Sequence, residues 1–104
     1  MSQSKFDKAV SIVQNLPKDG PIKPTQDEQL YFYSYYKQAT IEDVNTDRPG
    51  LLDFTGKAKW DAWKKLKGTT KEEAQTKYVE KLLEVLTKAD TDEAKKFIDE
   101  INAA

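Results

Sequence analysis

The sequence has no cysteine and no histidine. The first absence excludes disulfides and thiolate chemistry. Together they remove the usual zinc ligands, thiol nucleophiles and neutral-pH acid–base groups. Charge of one sign is also missing: Lys+Arg 17 against Asp+Glu 18 leaves a net charge of −1. A global basic field for nucleic acid is therefore absent. No apolar run approaches a membrane span, and "MSQSKFDKAV" lacks the apolar segment of a signal peptide. The expectation is a soluble, cytoplasmic protein without stable membrane insertion. Only four glycines and four prolines punctuate 104 residues. A chain of this length can bury about two-thirds of its unfolded surface, enough for one core without staples.

What remains reads as helix joined by loops. Ser4 is placed to cap a first helix, in which Phe6, Ala9, Val10, Val13 and Leu16 recur at three- and four-residue spacing. Pro17 ends it, and "PKDGPIKP" is a loop. Thr25 and Glu28 form a T-x-x-E capping box opening a second helix to about Thr40. A long connection with a Pro49–Gly50 turn follows. The third helix is expected from near Gly56 to Gly68, a C′ glycine. Thr70 and Glu73 form another capping box for a fourth helix, with Ala74, Tyr78, Leu82, Val85 and Ala89 in one stripe. Phe97, Ile98 and Ile101 would lie about a quarter turn off that stripe in an unbroken helix. A break near Asp90 and a short extra helix are predicted. The expected domain is 1–104, with a core over about 4–89 and a helical tail over about 90–102.

The stretch "YFYSYYKQAT", residues 31–40, surrounds its whole helix with aromatic side chains. A small bundle needs only one apolar stripe. Phe32, Tyr35 and Ala39 share the bundle side, Tyr33 and Lys37 share another, and Tyr36 lies between. Tyrosine suits ligand contact because it pairs a flat apolar ring with a hydroxyl. On the third helix, Lys59 shares a face with Ala62, Trp63 and Leu66. A lysine there must snorkel or meet an anion. Tyr78 leads the stripe of the fourth helix. Together these positions suggest one site for an anion carrying a flat ring.

Other chemistry fails on spacing. Asp43, Asn45 and Asp47 imitate the start of a calcium loop, but Arg48 and Phe54 stand where glycine and glutamate are required. "LKGTTKEE" lacks the leading glycine of a phosphate loop. Ser34 has no histidine to activate it. No catalytic constellation, metal site or cofactor is expected.

"FDKAV", "YSYYKQAT", "NTDRPGLLDFTGKAKWDAWKKLKG" and "EEAQTKYVEKL" resemble the acyl-CoA-binding protein family in order and spacing, over about Phe6 to Leu86. The resemblance implies an all-α, up-down-down-up four-helix bundle, here with a C-terminal helical extension. It implies non-catalytic, high-affinity binding of medium- to long-chain acyl-CoA esters by a carrier and pool former in lipid metabolism. Acyl-CoA-using enzymes are conceivable partners, and nucleic acid is not. By position, Tyr33, Lys37 and Lys59 match residues that hold the 3′-phosphate and adenine. Tyr36 matches an aromatic beside the adenine, and Tyr78 matches the tyrosine completing the site. Ala9, Gln14, Ser34 and Thr55 are secondary candidates. Gln14 and Thr55 stand where lysine is common in the family, and the 17–24 loop is longer than usual. The competing expectation is a helical interaction module that binds an acidic peptide through the Lys59–Lys67 patch.

Overall fold

The computed structural model describes residues 3–17 and 20–104. Five helices make up its regular structure: α1 (Gln3–Gln14), α2 (Gln26–Thr40), α3 (Phe54–Lys64), α4 (Lys71–Ala89) and α5 (Asp92–Ala103). The described residues contain no strand. Helices α1 to α4 form an up-down-down-up bundle. α4 is its spine, packing on α1, α2 and α5, while α3 packs on α2 and α5 also touches α1.

Local chemistry sets most boundaries. At the start of α2, Thr25 Oγ1 accepts from the Glu28 N–H at 3.1 Å, and the Thr25 N–H donates to Glu28 Oε1 at 2.8 Å. That is the reciprocal box expected from T-x-x-E. Thr70 supplies the first half of the same motif, accepting from the Glu73 N–H. α4 ends at Asp90, whose φ of 48° is left-handed, and Thr91 caps α5 by accepting from the Ala94 N–H. The expected break near Asp90 is therefore present. It turns Ala94 and Ile101 fully into the core and leaves Phe97 and Ile98 packed against it.

Two helix starts differ from expectation. α1 already includes Gln3, so Ser4 lies within the helix rather than capping it. The Gln3 side chain is held on both sides, donating to Asp7 and accepting from Gln75 of α4. α3 begins at Phe54, two residues before Gly56, because Asp53 is its cap and accepts from the Gly56 N–H at 2.9 Å. A Cβ at position 56 would run into that carboxylate, so glycine there lets the cap close. α3 also stops earlier, at Lys64, and a turn carries the chain to Gly68, where φ is +92°. That backbone favours glycine.

The core follows the helical stripes. Ala9, Ala74, Leu82, Leu86, Ala94 and Ile101 are completely buried, with Phe6, Ile12, Phe32, Tyr78 and Val79 beside them. Ile12, outside the expected α1 stripe, is buried, while Val10, Val13 and Leu16 are half-buried at its edge. From the loop after α1, Ile22 inserts into the same core. Lys18 and Asp19 of that loop lie outside the described residues.

Leu82→Ala should cost about 2–5 kcal/mol in urea unfolding, the range for a truncated core leucine. Leu52→Ala, at a site 91% exposed, should stay within about 0.5 kcal/mol of the parent.

Candidate functional site

An open cavity of about 580 Å³ lies where α1, the loop after it, α2 and α4 meet. Its size falls within the range of small-molecule sites. Val13, Leu16, Pro17, Pro24 and Phe32 give it an apolar wall. Gln14, Lys23 and Gln29 add polar groups, and Tyr33, Tyr36 and Tyr78 present three phenol side chains.

α2 supplies the aromatic side of this wall by its pitch. Phe32 turns into the core, where its ring lies 5.0 Å from that of Tyr78. Phe6 of α1 meets Tyr78 edge-on at 5.3 Å and stacks more distantly on Tyr36 at 6.4 Å. Tyr78 is thereby wedged between two phenylalanines. Burial first, then the neighbouring Tyr36, pushes its hydroxyl well above the ordinary tyrosine range. Its phenol stays neutral, and keeps its proton to donate, at any physiological pH.

A second cluster adjoins the cavity through Tyr33. Lys37 Nζ lies 5.8 Å from the Tyr33 ring centroid and 5.9 Å from that of Trp63. Lys59 Nζ, from α3, lies 5.2 Å from the same Tyr33 ring. Two ammonium groups from different helices thus meet one aromatic ring, each within cation–π range. Lys59 avoids the cost expected of its apolar face because it is exposed and reaches across to α2, while Trp63 alone enters the interior of that face.

The connection between α2 and α3 fixes this meeting. The Trp63 indole N–H donates to the Glu42 carbonyl, and the Trp60 indole N–H to the Thr46 carbonyl, both at 2.8 Å. Arg48 grips Asp61 with two 3.0 Å hydrogen bonds. Asp43, from the rejected calcium pattern, instead accepts from the Gly68 N–H and from Gln38. Gln38 is wholly buried and also donates to the Thr69 carbonyl at 2.7 Å. The described residues contain no cluster suited to a metal ion.

Of the candidate residues, Gln14, Tyr33, Tyr36 and Tyr78 line the cavity, and Lys37 and Lys59 gather at its Tyr33 edge. Three others are placed elsewhere. Ala9 is completely buried in the core. Ser34 is buried with its hydroxyl donating to the Tyr31 carbonyl, and Thr55 is exposed on the first turn of α3. The cavity also draws on Val13, Leu16, Pro17, Lys23, Pro24 and Gln29, which the sequence reading did not assign to ligand contact. The unusual length of the 17–24 loop was the available signal.

The chain matches a model of the family described as acyl CoA binding protein over residues 3–82. The chain belongs to that family. Acyl-CoA-binding protein homolog 3 of Caenorhabditis elegans is 49% identical over 86 residues, covering 83% of this chain and 74% of that protein. Acyl-CoA-binding domain-containing protein 5 of Xenopus tropicalis is 45% identical over 86 residues, but they form only 19% of that longer protein. The crystal structure of ACBP from Moniliophthora perniciosa is similar throughout, with a TM-score of 0.99 and 76% identity, covering 100% of this chain and 98% of that one. Oryza sativa acyl-CoA-binding protein 2 follows the same fold at a TM-score of 0.75 and 35% identity, covering 86% and 92% of the two chains. The acyl-CoA-binding protein family is a family of binding proteins, and none of these relatives supports the acidic-peptide module.

Arg48 is the largest cause of the lowered Asp61 pKa. The lowered value means that this carboxylate's contribution to stability is present above the ordinary carboxylate range. It is lost as pH falls through the folded-state value. Arg48→Ala should raise the Asp61 pKa toward that range in an NMR titration of the side-chain carboxyl.

Proposed function

We propose that this chain is a non-catalytic carrier of medium- to long-chain acyl-CoA esters. It acts in the cytoplasm as one acyl-CoA-binding domain over 1–104. The observation that carries this reading is the convergence of Lys37 and Lys59 on Tyr33 at the rim of a mostly apolar cavity. Acyl-CoA combines the matching features: a multiply charged phosphate, a flat purine and a long apolar chain.

The 3′-phosphate is assigned to Lys37, Lys59 and the Tyr33 hydroxyl. Charge-assisted hydrogen bonds of this kind contribute about 1.5–3 kcal/mol each. The phosphate also relieves the repulsion between the two ammonium groups. Adenine is assigned to the tyrosine face made by Tyr33 and Tyr36. Tyr78, whose phenol remains protonated, serves as a donor in the wall. The acyl chain is assigned to the apolar part of the cavity between Val13, Leu16, Pro24 and Phe32. Each methylene that is fully removed from water there adds about 0.8 kcal/mol.

Two positions bear on the departures from the family pattern. Gln14 reaches the cavity without a charge, and Lys23 brings an ammonium group to the same wall from the lengthened loop. We assign Lys23 the ionic contact that Gln14 does not make. Binding in this form needs no chemical step: the protein holds the ester, shields its chain from water and releases it to acyl-CoA-using enzymes.

In titration calorimetry with palmitoyl-CoA, Lys37→Ala should weaken binding by more than about tenfold, the loss of one charge-assisted contact. Removing the 3′-phosphate from the ligand should weaken it in the parent protein and much less in Lys37→Ala. Unchanged affinity in both experiments would remove the phosphate assignment.

A further inference from the structure

The connection into α3 carries an apolar tip that the ligand cavity does not use. Leu51, Leu52 and Phe54 are 80%, 91% and 72% exposed. Leu51 and Leu52 form a turn, and Phe54 is the first residue of α3. Large apolar side chains exposed side by side mark an interaction surface.

Charge identifies what that surface fits. Between Arg48 and Lys67 the only acids are Asp53 and Asp61, against one arginine and five lysines. The whole chain has a net charge of −1, so this segment is a basic region on an otherwise acidic molecule. Asp53 is occupied in capping α3 and Asp61 is gripped by Arg48. At about 100° per residue, Phe54, Lys57, Lys64 and Lys65 fall on one side of α3, while Lys59 and Trp63 fall on the other. Lys57 Nζ lies 5.0 Å over the Phe54 ring, a cation beside the apolar tip. One helix therefore carries two basic faces. The Lys59 face meets α2, and the Lys57–Lys64–Lys65 face is turned away from it.

We propose that this outer face docks the protein peripherally on an anionic phospholipid surface. Leu51, Leu52 and Phe54 enter the interfacial layer, and the lysines sit among phosphate and carboxylate headgroups. A projecting turn with a basic collar fits a bilayer interface, where apolar insertion and anionic attraction add. Three projecting side chains do not supply the roughly 800 Å² per partner of a standard protein interface. A second copy would also bring like charges together. Docking by this face does not engage the Lys37–Lys59–Tyr33 cluster between α2 and α3, so it does not depend on the acyl-CoA assignment.

Flotation of the full chain with vesicles tests this. Protein should float with phosphatidylcholine–phosphatidylserine vesicles, not with phosphatidylcholine alone, and raised salt should release it. Leu51→Ser with Leu52→Ser, and separately Lys57→Gln with Lys64→Gln and Lys65→Gln, should each lower the bound fraction at least about fivefold. Both variants should retain parental helix content and palmitoyl-CoA affinity. No flotation, equal flotation with neutral vesicles, or flotation undiminished in the serine variant overturns the proposal. Self-association that the serine variant abolishes, without vesicle binding, would assign the tip to a second copy instead. Binding of polyglutamate without vesicle binding would assign the lysines to an acidic protein.

Discussion

The ring centroid of Tyr33 lies 5.8 Å and 5.2 Å from two ammonium groups, one from its own helix and one from α3. Cation–π attraction contributes about 0.5–1 kcal/mol for each at such exposed sites. The two like charges oppose one another, because each ammonium group lies within about 6 Å of the same ring centroid. These terms make the cluster receptive to an anion. In the proposed binding mode, the phosphate of acyl-CoA relieves this charge while its chain enters the adjoining apolar cavity. The Tyr33 ring borders both regions, lining the cavity and lying under the two ammonium groups.

Holding α3 against α2 is the task of the residues between them. α3 packs on α2, and its first contacts with the preceding connection are polar. Glu42 adopts a φ of 75°, a left-handed conformation that costs a non-glycine residue about 1–2 kcal/mol. Its carbonyl accepts from Trp63, whose ring in turn lies beneath Lys37. Asp43 accepts from Gln38 and Gly68, which ties the start of this connection to the turn after α3. The strained turn, Trp63 and Lys37 thus form one connected unit. The same connection projects Leu51 and Leu52 outward, which separates an internal ligand face from an external docking face.

Elements with local causes were legible in the sequence. The Thr25 box and the break near Asp90 follow from residues a few positions apart. The α3 start was displaced because Gly56 looked like a boundary, whereas Asp53 caps the helix through the Gly56 N–H. Side chains that meet only through tertiary structure were less legible. Ile22 entering the core and Lys23 lining the cavity depend on the path of a loop, not on periodicity. The aromatic stretch 31–36 divides as expected at Phe32 and Tyr33, and the remaining pair finds a partner of its own. Tyr31 and Tyr35 lie with ring centroids 4.4 Å apart, and Lys81 Nζ stands 4.9 Å over Tyr31. Burial first, then Tyr35, pushes the Tyr31 hydroxyl up to about 12. Ser34, between them in sequence, is a backbone-bonded residue of the α2 interior.

The central claim is that one continuous site holds a charged head group and an apolar chain at once. Calorimetry of palmitoyl-CoA, free coenzyme A and palmitate against the same protein tests it most directly. The account predicts that the intact ester binds far more tightly than either half, because the Tyr33 cluster and the cavity contribute together. An ester that binds no more tightly than free coenzyme A would show that the cavity takes no part, and would contradict the account.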